Sequence, residues 1–515
     1  MRRSYNLHLT MMSFLAVGQL FAAVWTGSTD NSWETDSNWQ SNSQPAAGEA
    51  ITFPDAATRK SITLTGAKQV GNLTFEGNYT LSGGTLQCPA SSTNSVIAGK
   101  AVTLDSVISG ASARLVKTGG GRLVLSGSNT YAGETELPDG GSGYLQINQK
   151  ASLGTGWLRF NKRGENTGTL VVNVPGNNVF NNSFGSFPSS QTYPHIQNLQ
   201  GTNTFKGNVS ISMSGGFGAV FEAEANSMLI LEGTIQNGYV GASGPSRRVY
   251  FNAKGEIWVK GIIKDSTPTN ITEYVKQNDG RLILSGNNTY TAATIFNAGE
   301  IVVGVGGTAG TLGASAVTMN ATANKKLTFN RSDNVSFANT ITTGSSSDQI
   351  VKVGASTLTL QNVGGSSSFD YKIEGGTLDL NGKTLAARNI EGVGTIQNAA
   401  LTMAGTIEPN GTLNLPATTF GSGAKINMDF VTAAGGIDDH LTFADSVNLS
   451  GVTLTLRSAA ERTSIGRYTL VAVPEGKTIT KPTASVVGVP HTWTCDVSGR
   501  FYELFYIGGT MIRLQ

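Results

Sequence analysis

Glu222 and Glu224 stand two residues apart in the alternating run Val220-Phe-Glu-Ala-Glu-Ala225. On a strand that spacing puts both carboxyls on one face, where a general acid and a base can cleave a glycosidic bond. Solvent-facing glutamates on a strand have the same spacing. Asp438-Asp439-His440 is the densest ionisable cluster, with Asp438 and His440 on one face and Asp439 on the other. It could hold a metal or catalyse, and a turn into the strand Leu441-Thr-Phe443 explains it as well. His195, His440 and His491 are scattered, not at ligand spacing, so neither metal nor cofactor is expected. Trp157, Tyr193 and Trp258 could stack on sugar rings or simply fill core and loop positions. Gly119-Gly-Gly121 could cradle a phosphate.

What would position these groups is a repeated unit. Leu-Val-Lys-Thr-Gly-Gly-Gly-Arg-Leu-Val-Leu-Ser-Gly-Ser-Asn-Thr-Tyr runs from Leu115 to Tyr131, and a second copy runs from Tyr274 to Tyr290. Lys117, Leu123, Leu125, Gly127, Asn129 and Tyr131 recur as Lys276, Leu282, Leu284, Gly286, Asn288 and Tyr290. A degenerate third copy begins at Lys352. Alternation turns Leu123 and Leu125 inward and Arg122 and Ser126 outward. The glycines form a turn, Asn129 bonds its own backbone at a corner, and Tyr131 opens the next strand. The second copy carries Gln277-Asn-Asp279 where the first has Thr118-Gly-Gly120, and an acid there opposes a phosphate. Similar sequels follow both copies, including Ala151-Ser-Leu-Gly154 and Thr311-Leu-Gly313.

Recurring strand-and-turn units that bury their apolar edges by stacking are the mark of a solenoid. Composition agrees. Gly is 65 of 515 residues and charged residues are 14%, too few for a disordered chain that is 39% apolar. Short alternating runs between Gly, Asn, Ser and Thr read as strands and tight turns. The fold expected is all-β, a parallel β-helix with an N-terminal aromatic cap and a C-terminal β capping domain.

Residues 1–22 read as a signal peptide: Arg2 and Arg3, then the apolar run Met11–Leu20, then a small-residue cleavage site. Its removal takes away two of the 36 basic residues and no acid, leaving 34 of each sign. Such a balance offers nucleic acid no general attraction, and no transmembrane segment is expected in the mature chain. Residues 23–60, with Trp25, Trp33 and Trp39, are read as the N-terminal cap, with sugar stacking as the alternative. The solenoid is placed at 61–412, with repeats near 115–135, 274–294 and 350–380, and the C-terminal β-domain at 413–515. Cys88 and Cys495 lie near opposite ends, too far apart along a solenoid for a disulfide.

The repeat, the Trp25/Trp33/Trp39/Pro45 segment and Asp439–Leu456 together resemble the autotransporter-associated β-strand repeat proteins. The resemblance implies an exported passenger with a right-handed β-helix, whose repeat assists export and folding. About 100 residues after the solenoid are too few for an outer-membrane barrel. The expected function is that of an exported, cell-surface or secreted structural or adhesion-type protein, with a periplasmic location as a variant. An extracellular glycan or cell-surface component is the expected partner. A carbohydrate-binding module and a polysaccharide lyase or glycosidase are the alternatives.

Overall fold

The structure is a computed structural model that describes residues 22–138, 143–160, 168–185, 194–211, 218–237, 247–265, 272–320, 324–345, 347–363, 369–429, 439–457, 467–482 and 493–506. Residues 1–22, read from the sequence as a signal peptide, lie outside them but for Ala22. Regular structure among them is strand, apart from two single-turn helices, Asp36–Asn38 and Lys150–Ser152.

Alternating apolar residues give each strand one inward face, and the chain satisfies its backbone by pairing each strand with one a coil later. Ile51 pairs in parallel with Leu73, and Leu73 with Asn94. Three ladders result. The first has eleven strands and runs from Ala23–Val24 to Ile263–Lys264. The second passes through Ala101–Leu104, Arg122–Leu125 and Tyr144–Ile147 and continues to Thr272–Gln277 and Val317–Met319. The third includes Met228–Leu231, Glu256–Val259, Arg281–Leu284, Glu300–Val303, Lys326–Asn330 and Gln349–Val353. The chain is a parallel β-solenoid.

Register turns the inward residues into continuous columns. Leu123, Leu145, Leu170, Ile196, Phe221 and Phe251 stack on successive turns of the second ladder, all buried. Burying each such side chain contributes about 1.5–3 kcal/mol, so the core lengthens along the axis at constant width.

At the start, Trp25 and Trp33 pack edge-on against Trp39, with ring centroids 5.1 and 4.9 Å apart. All three are buried, and Trp25 Nε1 donates to the Arg59 carbonyl at 2.7 Å. These indoles cover the first coil and present no open face to a sugar. Parallel pairing runs on across residue 413, Leu413 with Leu441 and Leu441 with Val471. The direction then reverses. Trp493–Ser498 and Phe501–Tyr506 pair antiparallel, and the latter also pairs antiparallel with Arg467–Ala472. A reversed last edge is a poor template for another parallel turn. Cys88 and Cys495 are both free, and burial pushes the Cys495 thiol up to about 11, which leaves it protonated and unreactive.

Candidate functional site

The repeat lysines point into the core. Lys276 stands in the apolar column that contains Leu123, between Phe251 below and Phe296 above, and is 0% exposed. Its Nζ donates to the carbonyls of Gln277, Asn278 and Ala298 at 2.9, 2.6 and 3.0 Å. Lys117 donates to Thr118 and Gly119 at 2.8 and 2.7 Å. Lys352 donates to Val353 and Gly354 at 3.0 and 2.6 Å. In every copy the residue two after the lysine has positive φ: 74° at Gly119, 63° at Asn278 and 85° at Gly354. That left-handed residue swings its carbonyl back towards the ammonium. Glycine reaches it freely, and asparagine is among the few other residues that tolerate it.

Burial pushes the ammonium of Lys117 down to about 8 and that of Lys276 to about 7, and lowers Lys352 as well. The turn of glycines is therefore a carbonyl cup for a cation. It is the reverse of a phosphate cradle.

The corner that follows the Leu-x-Leu strand locks three turns together. Asn129 accepts from Ile108 N at 2.8 Å and donates to the Ser152 carbonyl at 2.7 Å. Asn288 does the same with Ile263 N, 2.8 Å, and Thr311 O, 2.7 Å. The asparagine thus serves the coils below and above rather than its own backbone. Tyr131 and Tyr290 precede the next strand instead of opening it. Each is buried, with its hydroxyl 2.8 or 2.7 Å from Thr135 or Thr294 Oγ1. Gly127 and Gly286 are fixed by close approach. A Cβ there would lie 2.3 and 2.2 Å from the carbonyl oxygens of Ser106 and Gly261.

The module continues one coil further. Asn182 Nδ2 donates to the carbonyls of Gly154 and Gly156, both at 2.7 Å, and Asn339 Nδ2 to those of Gly313 and Ser315 at 2.5 and 2.7 Å. Phe180-Asn-Asn182 and Phe337-Ala-Asn339 are the matching signals. Tyr290→Phe is expected to cost about 1 kcal/mol, because the Thr294 hydroxyl loses a buried partner; a urea midpoint indistinguishable from that of the unmodified chain would contradict it.

The copies do not stand above one another. The lysine strand of the first copy, Arg114–Thr118, belongs to the first ladder. That of the second, Thr272–Gln277, belongs to the ladder carrying Arg122–Leu125 of the first copy. That of the third, Gln349–Val353, belongs to the ladder carrying Arg281–Leu284. Each copy is displaced one face around the coil.

This geometry has a counterpart among known proteins. The family model described as the passenger-associated-transport-repeat matches residues 115–142 and 275–303. The chain carries the passenger-associated transport repeat twice. Adhesin BmaC autotransporter of Brucella suis biovar 1 (strain 1330) is 37% identical over 87 residues, which is 17% of this chain and 2% of that protein. No solved structure matches the chain. The matched transport repeats contain the cups of Lys117 and Lys276 and both tyrosine corners. The cup at Lys352 has the same geometry beyond the matched residues.

Among the other candidate residues, Glu222 and Glu224 do come together. Gln197 Nε2 donates to both at 3.0 Å, and Lys254 Nζ lies 3.4 Å from Glu222 and 2.9 Å from Glu224. Burial, then the adjacent Glu224, raises Glu222 above the usual carboxylate range. Burial also pushes Glu224 up, but its bonds from Lys254 and Gln197 more than offset this and hold it low. The groove beside the pair is lined by Lys254 and by neither carboxylate. A carboxyl raised in the folded state loses stability as pH climbs above its unfolded value, near 4.5. Glu222→Gln is therefore expected to flatten that decline as pH rises above about 4.5, while Glu224→Gln, which removes the nearer partner of Lys254, lowers stability at pH 7 by about 1 kcal/mol. Thermal unfolding of the two variants from about pH 4.5 to 7 checks both.

Asp438 and Tyr193 lie outside the described residues, as does His491. His440 Nδ1 donates to the Thr469 carbonyl at 2.9 Å. Buried Asp439 accepts from the backbone N–H groups of Gly411 and Asp429 at 2.8 and 2.5 Å. His195 is buried and accepts from Val220 N at 3.1 Å. Trp157, 48% exposed, lies beside the first ladder over Gly185. Trp258 is half-buried on the third ladder, with Nε1 donating to Ser285 Oγ at 2.8 Å and Lys260 over its ring. The two indoles are on different faces and form no common platform. No group of three or more potential metal ligands occurs among the described residues, and no helix there is long and apolar enough to cross a membrane.

Proposed function

We propose that the chain is an exported, surface-displayed β-solenoid of the adhesion type, in which the transport repeats lock the coil as it folds outside the cell. The observation that carries this reading is the carbonyl cup around Lys117 and Lys276. It needs no cofactor and no partner, only the closure of one turn onto the next. A lock of this kind suits a chain that crosses a membrane unfolded and must then assemble turn by turn. The name of the matched adhesin supports an adhesive role, and the apolar run at 11–20 supports export. Lys254, within bonding distance of both Glu222 and Glu224, weighs against a glycosidase pair there.

The test is display in a Gram-negative host expressing the full chain. Protease shaving of intact cells should remove the protein, and the double variant Lys117→Met, Lys276→Met should leave the amount synthesised unchanged while strongly reducing the folded, surface-exposed fraction. Retention of the chain in the cytoplasm, or equal display of the double variant, would contradict the proposal.

A further inference from the structure

Beyond the second matched repeat, the corner between the second and third ladders buries a lysine against an aspartate. Lys325 and Asp348 stand on successive turns, each immediately before a paired strand, Lys326–Asn330 and Gln349–Val353. Both side chains are 0% exposed. Nζ of Lys325 lies 3.1 Å from Oδ1 of Asp348 and donates to the Asn320 carbonyl at 2.5 Å. The backbone N–H of Lys325 donates to the same Oδ1 at 3.1 Å, and the Thr343 hydroxyl donates to Oδ2 at 2.5 Å. Two residues further along the strands, Leu327, Ile350 and Tyr371 stack turn on turn, all buried.

This pair differs from the other lysine contacts of the coil. Lys117, Lys276 and Lys352 donate to backbone carbonyls, and an amide carbonyl is a poor target for an amine. Surface pairs such as Lys68–Glu34 and Lys260–Glu232 keep a fifth or more of each side chain in water, which solvates both charges. At Lys325 a primary amine meets a carboxyl with water shut out. Two opposite charges in such a place are costly to bury, and a neutral amide in their stead is not.

We propose that Lys325 and Asp348 condense into an isopeptide bond that ties one turn of the solenoid covalently to the next. A proton passes from Nζ to Oδ1, giving a neutral amine and a neutral carboxyl. Nζ then attacks Cγ, and the negative charge gathers on Oδ2, where the Thr343 hydroxyl stabilises it. A second proton moves from Nζ to Oδ1. The Cγ–Oδ1 bond breaks, water leaves and the carbonyl re-forms at Oδ2. The product keeps its partners: Oδ2 accepts from Thr343, and the remaining N–H donates to Asn320. No oxidant, cofactor or second protein takes part. Holding amine and carboxyl together in a dry site raises their effective concentration and favours condensation over hydrolysis. The bond would join residues 23 apart in sequence, so the turn between them could no longer unwind.

Peptide mass spectrometry of the purified, folded chain tests this. Digestion should yield a branched peptide that joins the segments holding Lys325 and Asp348 and is one water lighter than their sum. Trypsin should no longer cut after Lys325. Chain recovered unfolded in urea should lack the link and acquire it on refolding, a measurement that needs no variant. Lys325→Arg keeps a cation beside the carboxylate and should abolish the link. Thr343→Val, without the donor to Oδ2, should slow its appearance at least tenfold. Separate, unmodified peptides for the two residues in the folded chain would overturn the proposal and leave a buried ion pair only. A link that persists in Lys325→Arg, or forms at an unchanged rate in Thr343→Val, would contradict it too.

Discussion

Replacing Lys276 by methionine is expected to destabilise the second repeat by on the order of 3 kcal/mol, although methionine matches the apolar column better than lysine does. The loss comes from the carbonyls. Gln277, Asn278 and Ala298 turn their oxygens towards Nζ in a cup closed by Phe251 and Phe296. Without the ammonium each loses its partner in a part-buried turn, at a cost of about 1 kcal/mol apiece. Hydrogen exchange of the strands Thr272–Gln277, Arg281–Leu284 and Thr294–Phe296 should accelerate while the N-terminal coils stay protected, since turns of a solenoid lean mainly on their neighbours. Protection unchanged in the variant would show that the lysine is tolerated rather than needed.

The same residue predicts a pH dependence. Burial pushes the folded ammonium down to about 7, whereas an unfolded lysine titrates near 10.4. The surrounding carbonyls favour the charged form and work against that push, so 7 is the lower end of the window. Between the two values the unfolded chain binds more protons than the folded one, and stability rises with pH. The unmodified repeat should therefore gain protection from about pH 7 towards 10, and the methionine variant should lack that gain. Equal slopes in the two chains would remove the lysine as its source.

The parts of this design that could be read from the sequence are those that act within one strand. The apolar alternation around Leu123, Leu125, Leu282 and Leu284 fixes which side chains face inward, and all four are buried. The lysines were readable as markers of the repeat but not as core residues, because an inward lysine runs against the ordinary rule of burial. Its sign was the left-handed residue two places on, disguised as Gly119 in one copy and Asn278 in the other. Contacts between coils were hidden for a different reason. Asn129 bonds residues 21 before and 23 after it, and Asn182 reaches back 28 to Gly154. Nothing in a local pattern specifies the length of the intervening coil, so the partner carbonyls cannot be chosen until the register is known. The displacement of each copy by one face is hidden in the same way. Glu222 and Glu224 share a face as their spacing implies, yet Lys254 arrives from the next turn and changes their chemistry.

Asn288→Leu should give the second large effect, about 2–4 kcal/mol, with almost no change in volume. The side chain is buried and bonded at both ends, accepting from Ile263 N and donating to Thr311 O. Among the described residues Ile263 lies in the last strand of the first ladder; its carbonyl accepts from Thr289 N on the next turn, and the asparagine amide takes its N–H. Leucine would fill the space and leave a buried N–H and a part-buried C=O without this partner on two different turns, each worth about 1–3 kcal/mol. Asn129→Leu repeats the experiment at the end of an earlier strand, Val107–Ser109, where Asn129 takes the N–H of Ile108. The two sites are many turns apart and share no partner, so their effects should add within about 0.5 kcal/mol. Marked non-additivity in denaturant unfolding would mean that the repeats act as one cooperative unit. Additivity, with loss of protection confined to the coils on either side of each asparagine, would make every corner an independent lock, which is what a chain folding progressively from one end requires.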